Sequence, residues 1–300
     1  MYKITSSWPH QDQIKVEWNL GKRCNLDCTY CPAEIHDNHS KHTDIAMLKS
    51  TVDVLSQLGK IRISLTGGEP CVHPRIEELL VHMKQMKIGW INVTTNGTRT
   101  VEFYQNILEN YINHIVFSVH FESDWLKVIN TIIKVYKQSA NKNVLVHMMM
   151  LPGRLKDVKD ACKTLLDAGI RYALRPIRWT KTHDDFEDMI HYSAEEKEFL
   201  AVSNHTPPKN TLIDNTVECN VNDLLINKTN QFQGWSCMAG VESLMINWDG
   251  EVHRATCRVG GSLGNIYQDT FIKPTTSVDC TRTWCTCAAD INITKLNNVD

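Results

Sequence analysis

Between about residues 13 and 175, short β-branched runs alternate with longer amphipathic stretches, a rhythm that few architectures accommodate. The strand candidates are Gln13 to Leu20, Ile61 to Thr66, Ile88 to Thr94, Ile115 to Val119, Asn143 to Met149 and Tyr172 to Leu174. Helix candidates fall between them, near 45 to 58, 74 to 86, 100 to 110, 124 to 138 and 155 to 167. Repeated strand-helix units of this kind predict an α/β fold with parallel strands. Six such units make a partial (β/α)6 barrel, short of the usual eight, and leave an opening for a bulky substrate. Each strand ends in polar or glycine-rich residues, at the rim where such a barrel carries its chemistry.

The remaining chain has a different texture. Helices are expected near 193 to 203 and 220 to 227, around a Thr206-Pro207-Pro208 turn. Leu244 to Trp248 and Glu251 to Ala255 flank Asp249-Gly250 and predict a β-hairpin. The expected division is an N-terminal extension over 1–12, a barrel over 13–187, a bridge over 188–230 and a small cysteine-rich domain over 231–300. A chain of 300 residues, 42% hydrophobic, can bury a sizeable core. Its net charge of -2 provides no global field for nucleic acid or an anionic membrane surface. It has no signal-peptide-like stretch and no long apolar run, so a soluble cytoplasmic protein is expected. The eleven cysteines fall in two tight groups and three stragglers, which favours metal ligation over a disulfide framework.

The first group, Cys24, Cys28 and Cys31 in CNLDCTYC, has the spacing C-x3-C-x2-C in a loop after the first strand. Three thiolates can hold three irons of a four-iron, four-sulfur (4Fe-4S) cube and leave the fourth open to a small chelating molecule. The alternative is structural zinc, which takes four ligands, and His36 and His39 are the only nearby supplements. The spacing, with the aromatic Tyr30 before the last cysteine, resembles the radical S-adenosylmethionine (SAM) superfamily. That resemblance implies that the three cysteines bind the cluster and that SAM chelates the open iron. It also implies an electron donor of the flavodoxin or ferredoxin type and a protein that orients the cofactor and excludes competing hydrogen donors.

Downstream motifs strengthen the resemblance. Thr66-Gly67-Gly68-Glu69-Pro70 looks like the family's GGEP motif, whose backbone and Glu meet the SAM amino group. Taken alone it reads as an ordinary strand-to-helix turn. Asn96 and Ser118 stand where family members meet SAM's carboxylate and ribose, although Asn96-Gly97 is also a turn sequence. His120 and Glu122, less usual for the family, are the candidates for facing substrate, against a structural role for the histidine. Arg175 and Arg178 are candidates for a SAM or substrate carboxylate, against a plain salt bridge.

The second group is Cys237, Cys257, Cys280, Cys285 and Cys287. CMAG, the hairpin ending in Cys257, and CTRTWCTC resemble the twitch domain, a short relative of the SPASM domain that carries one auxiliary 4Fe-4S cluster. Five cysteines compete for at most four positions on one cluster, so one is spare or leaves when substrate binds. A zinc ribbon is the alternative, because four sulfur ligands do not themselves choose between zinc and iron. Cys162 is expected to be an inert buried thiol, whereas Cys71 and Cys219 lie within reach of the motifs.

The expected activity is hydrogen abstraction from a small molecule, sugar or nucleotide, leading to dehydrogenation, epimerisation or rearrangement. No leader-gripping domain is expected ahead of the first strand, which favours a small molecule, sugar or nucleotide, or a peptide presented by another protein. A peptide-modifying enzyme is the alternative within the class. A noncatalytic metal-binding scaffold is the alternative outside it.

Overall fold

The computed structural model describes residues 2–6, 12–177, 192–202, 211–213, 217–219, 221–226, 228–285 and 287–297. Arg178 and the Thr206 to Pro208 turn lie outside the described residues. The chain begins with β1 (Tyr2–Ser6) and β2 (Ile14–Asn19). It continues through α1 (Ile45–Ser56), β3 (Ile61–Thr66), α2 (Ile76–Gln85), β4 (Trp90–Thr95) and α3 (Val101–Asn110). Next come β5 (His114–His120), α4 (Trp125–Gln138), β6 (Val144–Met150), α5 (Leu155–Asp167) and β7 (Tyr172–Pro176). Strands β2 to β7 pair in sequence order and in parallel, forming the expected partial barrel with the helices outside.

The local sequence explains this arrangement. In β3 (IRISLT), Ile61, Ile63 and Leu65 are buried in the main core, while Arg62 and Ser64 on the other face border the lumen. In α4, Val128, Ile129, Ile132 and Val135 recur at helical spacing and are buried, and Asp124 caps the N-terminus by accepting from Lys127 N. Met148 and Met150 of β6 are packed into the same core.

The second half comprises α6 (Ala194–Val202), β8 (Thr211–Ile213), β9 (Val217–Cys219), α7 (Val221–Ile226), β10 (Ser236–Cys237), β11 (Ser243–Ile246) and β12 (Glu251–His253). It ends with β13 (Ser262–Asn265), β14 (Val278–Asp279), α8 (Ala288–Ile291) and β15 (Lys295–Asn297). The hairpin forms as expected, with Met245 opposite His253. Its strand β11 then pairs in parallel with β2, so the barrel sheet continues as β13-β12-β11-β2. Leu244, Ile246 and Val252 accordingly belong to the main core. A second, antiparallel sheet in the order β14-β10-β15-β1-β8-β9 brings the first strand against the last. No helix among the described residues is long and apolar enough to cross a membrane.

Candidate functional site

Cys24, Cys28 and Cys31 occupy the loop that leaves the C-terminal end of β2. Neighbouring backbone fixes the start of this loop: Cys24 N donates to Asp37 O at 2.7 Å, and Glu69 N donates to Arg23 O at 2.9 Å. Side chains fix the rest. Asn96 Nδ2 donates to Asn25 Oδ1 at 2.9 Å and to Cys24 Sγ at 3.8 Å. His36 Nε2 donates to Leu26 O at 2.6 Å, so its ring serves the loop backbone, while the His39 side chain is 82% exposed beside Asp37. Leu26 N also donates to Cys24 Sγ, at 3.4 Å. Burial pushes the Cys28 thiol up to about 11, and Cys31, which also feels Cys28 and Cys24, up to about 12. Such thiols give up their protons only when a metal compensates the charge.

The Gly67-Gly68 loop packs directly on this loop. A Cβ on Gly68 (φ +50) would lie 2.4 Å from Arg23 O, and one on Gly67 (φ +82) would lie 2.6 Å from Asn19 Cβ. The close approach that the glycines permit is therefore to the cysteine loop's own chain. Glu69 is buried, and its carboxylate accepts from Cys71 N at 2.9 Å, Thr95 Oγ1 at 2.8 Å and Asn96 N at 2.5 Å. Those bonds satisfy most of the acceptor capacity of the buried carboxylate. Pro70 opens a short 3-10 turn, Pro70–Val72, that Glu69 caps, a position where a missing N–H costs nothing.

The end of β5 grips the same loop from the opposite side. The Glu122 carboxylate accepts from Thr29 N at 2.8 Å and Thr29 Oγ1 at 2.6 Å, and His120 Nδ1 is hydrogen-bonded to the Tyr30 hydroxyl at 2.6 Å. Burial lowers the His120 imidazole to about 4, against the opposing pull of Glu122, so the ring is neutral at ordinary pH. Ser118 is buried on the same strand. Thr29 and Thr95 escaped the sequence reading, because a threonine bonded to a residue far along the chain leaves no local pattern, and His36, considered there only as a zinc supplement, instead serves the loop backbone.

Arg175 lies inside the barrel, its Nη2 3.1 Å from His147 Nε2. It borders a cavity of about 410 Å³ that Lys15, Glu17, Arg62 and His114 line and that Asp290 and Ile293 close from the C-terminal segment. Burial and Arg62 lower Lys15 to about 8, while burial and Asp290 raise Glu17 to about 7. Burial, Arg62 and Arg171 hold His114 near 4.

Four of the five C-terminal cysteines, Cys237, Cys257, Cys280 and Cys285, line one small cavity together with Arg282, Asp290 and Lys295. Cys287 is not among its walls and stands at the N-cap of α8. Asp290 braces Cys257 by accepting its N–H at 2.8 Å. Lys295 is buried, and its Nζ donates to the carbonyls of Asp290, Ile291 and Ile293 at 2.5, 3.2 and 3.0 Å. Burial raises Cys237, with Lys295 pulling the other way. Among the described residues no three Cys, His, Asp or Glu side chains converge on a single-ion point. Sulfurs spread around a cavity suit a cluster of several atoms better than one zinc.

Comparison with known proteins agrees with this layout. The chain is 24% identical over 289 residues to the antilisterial bacteriocin subtilosin biosynthesis protein AlbA of Bacillus subtilis, covering 90% of this chain and 61% of AlbA. It is 35% identical over 105 residues to the GTP 3',8-cyclase of Syntrophomonas wolfei, covering 34% of this chain and 32% of the cyclase. The chain thus spans less than two thirds of either relative. Its fold matches that of Streptococcus suis SuiB bound to S-adenosylmethionine with a TM-score of 0.60 at 13% identity, over 86% of this chain and 64% of SuiB. Residues 18–193 match the Radical SAM superfamily, whose members bind a 4Fe-4S cluster and S-adenosylmethionine, and the chain belongs to that superfamily.

Proposed function

We propose that Cys24, Cys28 and Cys31 bind the SAM-binding cluster, and that Cys237, Cys257, Cys280 and Cys285 bind one auxiliary 4Fe-4S cluster, with Cys287 the spare thiol. When bound, the first cluster would supply the one-electron reduction of SAM that initiates hydrogen abstraction from substrate. The chain's own residues orient and shield this chemistry. Gly67, Gly68, Glu69 and Pro70 form the shelf on which the cysteine loop rests, and Asn96 Nδ2 aims a proton at Cys24 Sγ. Ser118 and Arg175 on the barrel interior, and Tyr30 beside the last cysteine, complete the proposed cofactor contacts. Lys295 provides a buried positive charge where a negative cluster would sit. An external donor of the flavodoxin or ferredoxin type supplies the electron. The proposed domain division keeps the barrel at 13–187, preceded by the 1–12 extension and followed by the 188–230 bridge, with the twitch region over 231–300.

The substrate reading rests on the lumen cavity, whose volume of about 410 Å³ and lining of charged and polar groups suit a small polar molecule. The second reading, a peptide substrate, draws on AlbA, a bacteriocin biosynthesis protein matched over 90% of this chain. Fractionating a cell extract by size decides between them. If the small-molecule fraction stimulates 5'-deoxyadenosine release by the reconstituted enzyme, the first reading holds. Stimulation by the peptide fraction alone replaces it with the second.

The cluster assignment has its own check. Anaerobic iron and sulfide analysis should find about eight irons per chain, and the Cys24→Ala/Cys28→Ala/Cys31→Ala protein should lose about half of them. Loss of all, or of none, would contradict two independent clusters.

A further inference from the structure

Thr29 and Tyr30 are the two residues between Cys28 and Cys31, and each is held by a side chain from the end of β5. Glu122 takes both protons of Thr29, at 2.8 and 2.6 Å, and His120 meets the Tyr30 hydroxyl at 2.6 Å. These contacts join parts of the chain 93 and 90 residues apart. The segment that sets the spacing of the last two sulfurs is thereby tied to the barrel wall. We propose that His120 and Glu122 are positioning residues for the cluster, and that the Glu122 carboxylate, besides gripping Thr29, lowers the cluster's reduction potential.

The loop's other side-chain anchors include Asn96, Asn25 and His36; Glu69 and Asp27 also bring carboxylates near the cysteines, and Glu122 is the one whose carboxylate is hydrogen-bonded to the segment between Cys28 and Cys31. Through Thr29 that carboxylate is held one residue along the chain from Cys28. A fixed anion beside a cluster opposes the arrival of an electron, so it shifts the potential to more negative values. Both of its oxygens are also committed to Thr29, which favours this role over one at the substrate.

This inference rests on the reading that the cysteine loop holds the SAM-binding cluster. The test is a redox titration of anaerobically reconstituted full-length protein, followed through the paramagnetic signal that SAM perturbs. Glu122→Gln keeps one oxygen acceptor for Thr29 and removes the charge. It should retain its iron, and its midpoint should move to a more positive potential than in the wild type. An unchanged midpoint would overturn the proposal. If Glu122→Gln takes up no iron at the first loop, Glu122→Asp, which keeps the charge on a shorter arm, decides the matter: recovered iron with a near-wild-type midpoint supports the proposal, and continued loss of iron overturns it. A wild-type protein with no SAM-responsive signal would overturn the cysteine-loop reading itself, and this inference with it.

Discussion

At the scale of single residues, the site is a set of tight contacts among short side chains. Gly68 illustrates how little room there is: a methyl group at that position would lie 2.4 Å from Arg23 O on a backbone with positive φ. Gly68→Ala should therefore lower stability by about 2–4 kcal/mol and reduce iron uptake at the first loop, measured by denaturant titration and iron analysis. Full iron content at wild-type stability would contradict the packing described. Glu17 makes a different prediction. Burial and Asp290 raise its carboxyl from 4.5 to about 7, so the folded state holds this proton more tightly than the unfolded chain. The stability this confers is present below about pH 4.5 and is lost as pH rises toward 7, by at most about 3 kcal/mol. Glu17→Gln should accordingly be more stable than wild type at pH 8, by about 1–3 kcal/mol, and the gain should shrink at pH 5, in paired urea titrations.

At the scale of secondary structure, β11 is the informative element. It lies in the C-terminal segment and pairs in parallel with β2, and the Ile246 side chain is buried in the barrel's own core. Truncating that side chain in Ile246→Ala should cost about 2–5 kcal/mol. It should shift a single cooperative unfolding transition, whereas a separate early transition would mean that the hairpin folds independently. The barrel strands were legible in the sequence because each is a short apolar or β-branched run between amphipathic stretches, and in β3 the alternation of Ile61, Ile63 and Leu65 with Arg62, Ser64 and Thr66 requires no knowledge of partners. The hairpin was legible from Asp249-Gly250. Its docking on β2 was not, because a pairing between distant strands is selected by the open edge of the barrel and leaves no local mark. The short strand β1 likewise gains meaning only once β15 and β8 flank it. In the site, C-x3-C-x2-C pointed to the proposed ligands, while the contacts that fix their loop, Glu122 on Thr29 above all, come from the far side of the barrel.

At the scale of the whole molecule, the C-terminal segment does two things at once. It extends the barrel sheet through β11, and it places Asp290 and Ile293 in the wall that separates the lumen cavity from the second cysteine cavity. The lumen cavity proposed for substrate and the proposed auxiliary cluster thus share one partition, made from α8 and the turn after it. Everything at this scale depends on the first loop holding a cluster with an iron open to SAM. The direct measurement is the 5'-deoxyadenosine released when anaerobically reconstituted, dithionite-reduced protein meets SAM. Release by the wild type and none by Cys28→Ala is the predicted result; no release by the wild type, or equal release by both, would contradict it.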